Sequence, residues 1–232
     1  MCGRFTLRLD TAAVAEHFEA DDRGLRHPSR YNIAPEDEGG VLMIGWAREE
    51  GRRALAEARW GLIPHWVDDP GDFPRLINAR SETAPEKPSF RDAFRHRRCL
   101  IPADGFYEWL PTDGHKQPYF IHRSDDAPFA FAGLWEHWSG EGRAIDSCTI
   151  LTCEPNDLVR DLHDRMPVIL PEEHYDRWLR PDAWEGDPRE LLVPYPDPEE
   201  AFEAHPVSRR VNDPTDDAPE LVERAASDGQ EG

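Results

Sequence analysis

The sequence predicts an α+β fold, a single domain built on a strongly bent antiparallel β-sheet with short flanking helices. Three observations lead there. A length of 232 residues suits one fairly large domain able to bury a sizeable core. Several runs rich in apolar, β-branched and aromatic residues follow one another with short turns between them. Helical spacing is confined to short stretches. The domain is expected to cover residues 1–223, followed by a disordered acidic tail over residues 224–232.

Residues 11–20, TAAVAEHFEA, predict a short helix with Asp10 or Thr11 as N-cap and Ala12, Ala15 and Phe18 on one face. Residues 30–40 contain a proline and read as loop. VLMIGWA at 41–47 reads as a strand, and residues 51–64 as a turn and a second strand. Residues 90–109 read as a short helix, a strand and a turn. PYFIHR, FAFAGLWEHW and SCTILTC then succeed one another as antiparallel strands. Residues 155–163, PNDLVRDLH, predict a helix with Pro155 in its first turn, and residues 171–180 another. From Pro181 to Pro206 the chain is acidic and proline-rich, which suggests loop around a short helix.

The net charge is −20, and of 27 basic residues only Lys87 and Lys116 are lysines. Such self-repulsion is tolerable where salt screens it, as in a halophile; a GC-rich genome is the plainer source of the arginine bias. Residues 170–232 hold 18 carboxylates against 6 arginines, whereas residues 75–109 carry seven basic groups against five acidic ones. Arg75, Arg80, Arg91, Arg95, Arg97 and Arg98 in that second stretch suggest either a phosphate-facing surface or a solvated helix face. No apolar run reaches the roughly 20 residues of a membrane span. MCGRFTLRLD lacks the apolar core of a secretory signal, so a cytoplasmic location is expected.

Cys2, Cys99, Cys148 and Cys153 show no metal-site spacing, so no metal or cofactor is expected. Cys148 and Cys153 fall on opposite faces of one strand and read as buried thiols. Cys2 differs. Removal of Met1 leaves an α-amine, whose ordinary pKa is near 8, beside a thiol. Such an aminothiol condenses with an aldehyde to a Schiff base and then closes a thiazolidine ring. The plain reading is an accidental cysteine behind the start codon.

Four stretches join reactive groups to glycine, proline or tryptophan: RWGLIPHW, NARSET, DGFYEW and LHDRMP. Each has an ordinary explanation too. Glu108 between Tyr107 and Trp109 suits an arginine partner, His163 suits a helix cap, Asn78 suits a turn, and Trp60 and Trp66 suit a core.

MCGRF, YNIAP, RWGLIP, NARSET, RRCLIPADGFYEW, AGLWE and LHDRMPVIL occur in that order, closing with PVSRRVN as a strand. Together they resemble the SOS response-associated peptidase (SRAP) family of abasic-site processing proteins, from Met1 to about Leu221. The resemblance implies a barrel-like closure of the bent sheet. It also implies roles: Cys2 as nucleophile, Asn78 holding the adduct, Glu108 as the acid/base that opens the deoxyribose ring, and His163 moving protons at the Schiff base. Arg4, Arg80 and Arg165 match phosphate contacts, Pro35 and Trp66 match wedging or stacking positions, and Asn32 and Trp109 complete the expected DNA-binding set.

The leading expectation is therefore a DNA-damage response protein of the SOS type. It captures abasic sites in single-stranded DNA, close to replication forks, as a monomer with no membrane partner and with possible lyase activity. Alternatives are a cysteine peptidase using Cys2 and His163, limited to self-processing, and a non-catalytic nucleic-acid binding module. A peptidase needs only the thiol and a base; crosslinking needs the amine as well.

Overall fold

The computed structural model describes residues 2–35, 39–112, 114–180, 186–196 and 198–225. In chain order the strands are β1 (Phe5–Leu7), β2 (Ala20–Asp21), β3 (Arg30–Ile33), β4 (Val41–Ala47), β5 (Arg52–Trp60), β6 (Asn78–Arg80) and β7 (Arg98–Ala103). They continue with β8 (Gly105–Thr112), β9 (His115–Arg123), β10 (Phe129–Gly140), β11 (Arg143–Cys153), β12 (Met166–Pro167), β13 (Ile169–Leu170) and β14 (Phe202–Pro206). The helices α1 (Thr11–His17), α2 (Arg91–His96), α3 (Tyr175–Leu179) and α4 (Pro198–Ala201) are short, and the domain is α+β as expected. None is long and apolar enough to cross a membrane.

The bent sheet closes. β4, β5, β11, β10 and β7 form a ring in which each strand pairs with the next. Antiparallel alternation cannot run around an odd-numbered ring, so one neighbouring pair must be parallel. That pair is β5–β11, with Arg59 opposite Ser147 and Trp60 opposite Cys148. β2–β5 and β6–β11 are parallel as well, which corrects the purely antiparallel expectation. A second sheet, ordered β14-β9-β8-β1-β3, is antiparallel throughout. The ring of Phe5 on β1 lies 5.2 Å from Trp60 and 5.8 Å from Phe131, and Phe106 lies 6.0 Å from Phe131, so the two sheets share one aromatic core.

Asp10 caps α1 by accepting from the amide of Ala13 at 2.9 Å. Several local expectations need correction. Residues 30–33, expected as loop, are β3, because Asp217 accepts from the amides of Tyr31 and Asn32 at 2.7 Å and steers this segment against β1. Residues 155–163 are not a helix but two successive turns, closed by the carbonyls of Asn156 and Val159. The chain leaves β11 at Cys153 and must return to it at Met166, its antiparallel partner. A straight nine-residue helix would span roughly 13 Å and leave little chain for that return. The closing strand precedes PVSRRVN: β14 ends at Pro206, and residues 209–212 form a 3-10 turn. Arg224 bridges Val207 and the amide of Ala225 donates to Pro206 at 2.8 Å; residues 226–232, most of the expected tail, lie outside the described residues.

Candidate active site

Three local devices bring the reactive side chains together. The first is the turn between β7 and β8. Asp104 accepts from the Thr6 hydroxyl at 2.6 Å and the Arg8 amide at 2.5 Å, which clamps the turn to β1. Position 105 must be glycine, since a Cβ there would stand 2.2 Å from the ring of Phe120. With the turn fixed, Phe5 pairs with Phe106 and the amide of Tyr107 donates to Arg4 at 3.0 Å, setting Glu108 beside the segment that carries Cys2.

The second device is β6, held parallel to β11 with Asn78 opposite Ile150. From there the Asn78 amide nitrogen donates to the backbone carbonyl of Cys2 at 2.8 Å. Its Oδ1 is buried with no hydrogen-bond partner among the described residues, an acceptor available for a donor near Cys2. Cys2 itself is 0% exposed, and its thiol donates a long hydrogen bond of 4.0 Å to the carbonyl of Arg4.

The third device is the double turn over residues 155–163, which ends on His163. The Arg165 amide donates to His163 Nδ1 at 3.0 Å. Asp164 Oδ1 also lies 2.8 Å from Nδ1, but the nitrogen cannot accept and donate at once. Asp164 is highly exposed and burial lowers the His163 pKa, so the neutral ring with its proton on Nε2 is favoured.

Glu108 is 2% exposed. Burial raises its pKa to about 7, with the charge of Asp164 acting in the same direction. It can therefore both give and take a proton near neutrality. Burial also pushes the Cys2 thiol far above its ordinary range, assisted by the nearby Glu108 carboxylate.

Glu108 and His163 line a cavity of about 500 Å³ together with Arg4 and Trp109. The Arg4 guanidinium lies 5.9 Å from the Trp109 ring centroid and donates to Asn32 Oδ1 at 2.8 Å. The other expected DNA-binding residues sit elsewhere. Trp66 is 50% exposed, its ring edge-to-face with Phe73 at 5.9 Å. Arg80 is exposed at the end of β6. Pro35 is buried, its carbonyl accepting from Arg75 at 2.8 Å. Asn32 is fully buried, and its amide donates to the carbonyls of Val211, Asp213 and Asp216, bracing that loop. Arg165 is nearly buried and forks onto Glu82 at 2.6 and 2.9 Å.

Sequence reasoning missed four residues that line the same cavity: His115, Lys116, Arg209 and Asn212. Lys116 carried a signal, being one of only two lysines in the chain.

Comparison with known proteins comes to the same place. The family model described as "SOS response associated peptidase (SRAP)" matches residues 1–214. The chain is 44% identical to abasic site processing protein YoqW of Bacillus subtilis, over 96% of this chain and 99% of that one. It is 32% identical to abasic site processing protein YedK of Escherichia coli, over 96% and 99% of the two chains. Abasic site processing protein HMCES of Gallus gallus is 32% identical over 96% of this chain and 77% of its own. Among solved structures, a protein from Bacteroides thetaiotaomicron superimposes with a TM-score of 0.85 at 27% identity, covering 97% of this chain and 100% of that one. A protein from Bordetella bronchiseptica gives 0.75 at 32% identity, covering 89% and 100%.

Proposed function

Because the chain belongs to the SOS response associated peptidase (SRAP) family, we propose that it processes abasic sites in single-stranded DNA, capturing them as a thiazolidine crosslink on Cys2 once Met1 is gone. The observation that carries this reading is the meeting of Asn78 and Glu108 around Cys2: one bonded to its carbonyl, the other a buried carboxyl poised near neutrality.

The chemistry runs in three steps. An abasic sugar is mostly a closed hemiacetal. Glu108 takes the proton from its hydroxyl and delivers one to the ring oxygen, and the aldehyde opens. The α-amine of Cys2 adds to the aldehyde carbon and water leaves, giving an imine. His163, neutral and close by, is suited to move the protons of that dehydration. The Cys2 sulfur then bonds to the imine carbon as its proton passes to the nitrogen. The balance is one strand joined to one protein with loss of one water.

The raised thiol pKa favours this order. A thiol held protonated competes little for the aldehyde and leaves the first addition to the amine. Outside the cavity, exposed Arg80 offers charge for a phosphate and exposed Trp66 an aromatic face for a base of any identity.

Intact mass before and after incubation with an abasic single-stranded oligonucleotide tests the proposal. The free protein should lack one methionine, and the product should weigh the sum of both partners less one water. Absence of an adduct, or an equally stable adduct on Cys2→Ala, overturns it.

A further inference from the structure

Among the described residues, exposed arginines commonly sit in ion pairs: Arg23 with Glu50 at 2.7 Å, Arg189 with Asp187 at 2.5 Å and Arg210 with Asp216 at 2.9 Å. In a chain of net charge −20 a carboxylate is seldom far away. Lys116 and Arg209 depart from this, as do exposed Arg80, Lys87 and Arg95, and what sets the first two apart is their place in the cavity. Both are exposed, and neither has a carboxylate within 4.0 Å or a side-chain hydrogen bond among the described residues. Both line the cavity that contains Glu108 and His163. Arg210, the very next residue, is paired, so the loop has acid available that Arg209 does not meet.

Both stand on hydrogen-bonded supports. Lys116 lies on β9 opposite Pro111, next to a turn in which the Thr112 hydroxyl donates to the His115 carbonyl at 3.0 Å. Arg209 opens the 3-10 turn that Ser208 caps. The far end of that turn is fixed to the site: Asn212 accepts from the Trp109 indole at 2.7 Å, and the Val211 carbonyl accepts from Arg4 at 2.6 Å. Among the residues lining the cavity, Glu108 is the only carboxyl, against the fixed charges of Arg4, Lys116 and Arg209. The space of about 500 Å³ is that of a ligand pocket, not a crevice between side chains.

We infer that Lys116 and Arg209 form a phosphate clamp that grips a phosphodiester of the strand beside the sugar being captured. The inference rests on the reading of the cavity as the site of abasic-DNA capture and adds where the strand runs on leaving Glu108. Two unpaired cations facing one cavity hold a charged linkage without excess carboxylate competing, which an acidic protein achieves only by leaving such cations unpaired.

The test measures equilibrium binding of an intact single-stranded oligonucleotide, with no abasic site, against potassium chloride concentration. Wild type, Lys116→Met, Arg209→Met and Arg189→Met are compared. A lost phosphate contact lowers the slope of log affinity against log salt by about 0.7 for a single strand. Each cavity variant should show that loss, and Arg189→Met, which also removes one positive charge, should not. A second arm places one neutral methylphosphonate linkage at successive positions near an abasic site. At one linkage the neutral group should slow wild-type crosslinking and leave the Lys116→Met and Arg209→Met rates unaltered. Unchanged slopes, slopes matched by Arg189→Met, or equal sensitivity of wild type and variants at every linkage overturn the clamp. Failure of wild type to crosslink any abasic strand while the slopes behave as expected overturns the capture chemistry instead.

Discussion

The side-chain amide of Asn78 donates a 2.8 Å hydrogen bond to the backbone carbonyl of Cys2, joining β6, a strand paired to the barrel, to the segment that leads into the second sheet. Cys2 is placed through its own backbone, so its sulfur and amine stay clear of the contact. Asn78→Asp puts an acceptor against an acceptor and should cost about 1–3 kcal/mol of positioning. The crosslinking rate at saturating DNA should fall roughly tenfold or more, while Asn78→Ala, which only removes the bond, should lose less. Equal rates for wild type and Asn78→Asp would show that the bond does not position Cys2.

Glu108 predicts a pH signature in stability. Its pKa rises from 4.5 in the unfolded chain to about 7 in the fold, chiefly through burial. The folded state therefore holds the proton more tightly. The associated stability is fully present below about pH 4.5 and is lost as pH rises through about 7. Glu108→Gln, a permanent neutral mimic, should match wild type in acid and exceed it at pH 8 by on the order of 3 kcal/mol. Denaturant titrations across this range check the sign. The same variant should slow capture at least tenfold, because an amide cannot shuttle the proton.

Arg165 predicts a stability effect. Its guanidinium forks onto Glu82 and also donates to the carbonyl of Thr152 at 2.6 Å, and its backbone amide orients His163. Arg165→Met should cost about 1–3 kcal/mol, less than a fully buried pair because Glu82 is half exposed. At this chain length that lowers Tm by several degrees. A variant that melts like wild type yet binds DNA poorly would assign Arg165 to the phosphates alone.

Trp66 and Arg80 should separate by salt. Stacking on an aromatic ring contributes about 1–3 kcal/mol per base and is little screened, whereas a phosphate contact fades with ionic strength. Trp66→Ala should weaken strand binding by a similar factor in dilute and in molar potassium chloride. Arg80→Met should lose most of its effect in molar salt. Parallel salt curves for the two variants would contradict this division.

Much of the site could be read from the sequence because its residues lie in short segments whose local chemistry is self-contained. Asp104-Gly105 announces a tight turn, and the aromatic flanks of Glu108 announce a raised pKa. The strands at 41–47, 129–138 and 147–153 are legible from their apolar runs. What the sequence conceals is non-local. Closing the barrel pairs Trp60 with Cys148, and nothing in either segment marks the other. Nothing near Asn32 in sequence announces the three carbonyls from residues 211–216 that its amide meets. The fork of Arg165 onto Glu82 joins residues 83 positions apart, and neither segment marks the other. Lys116 stands out as one of two lysines, but its place at a polar hairpin end gives no sign of the cavity it lines.

The burial of Cys2 imposes an order of events on synthesis. The segment it leads into is enclosed by β8, whose Phe106 pairs with Phe5 only after a hundred further residues have been made. At about 5–20 residues per second, translation needs roughly 5–20 s to reach that point. Throughout that interval the amino end is an accessible peptide, open to an enzyme that trims methionine; once β8 docks, Cys2 is buried. If Cys2 acts as proposed, removal of Met1 belongs to that interval, and a chain refolded with Met1 still attached should crosslink far less than one made by the ribosome.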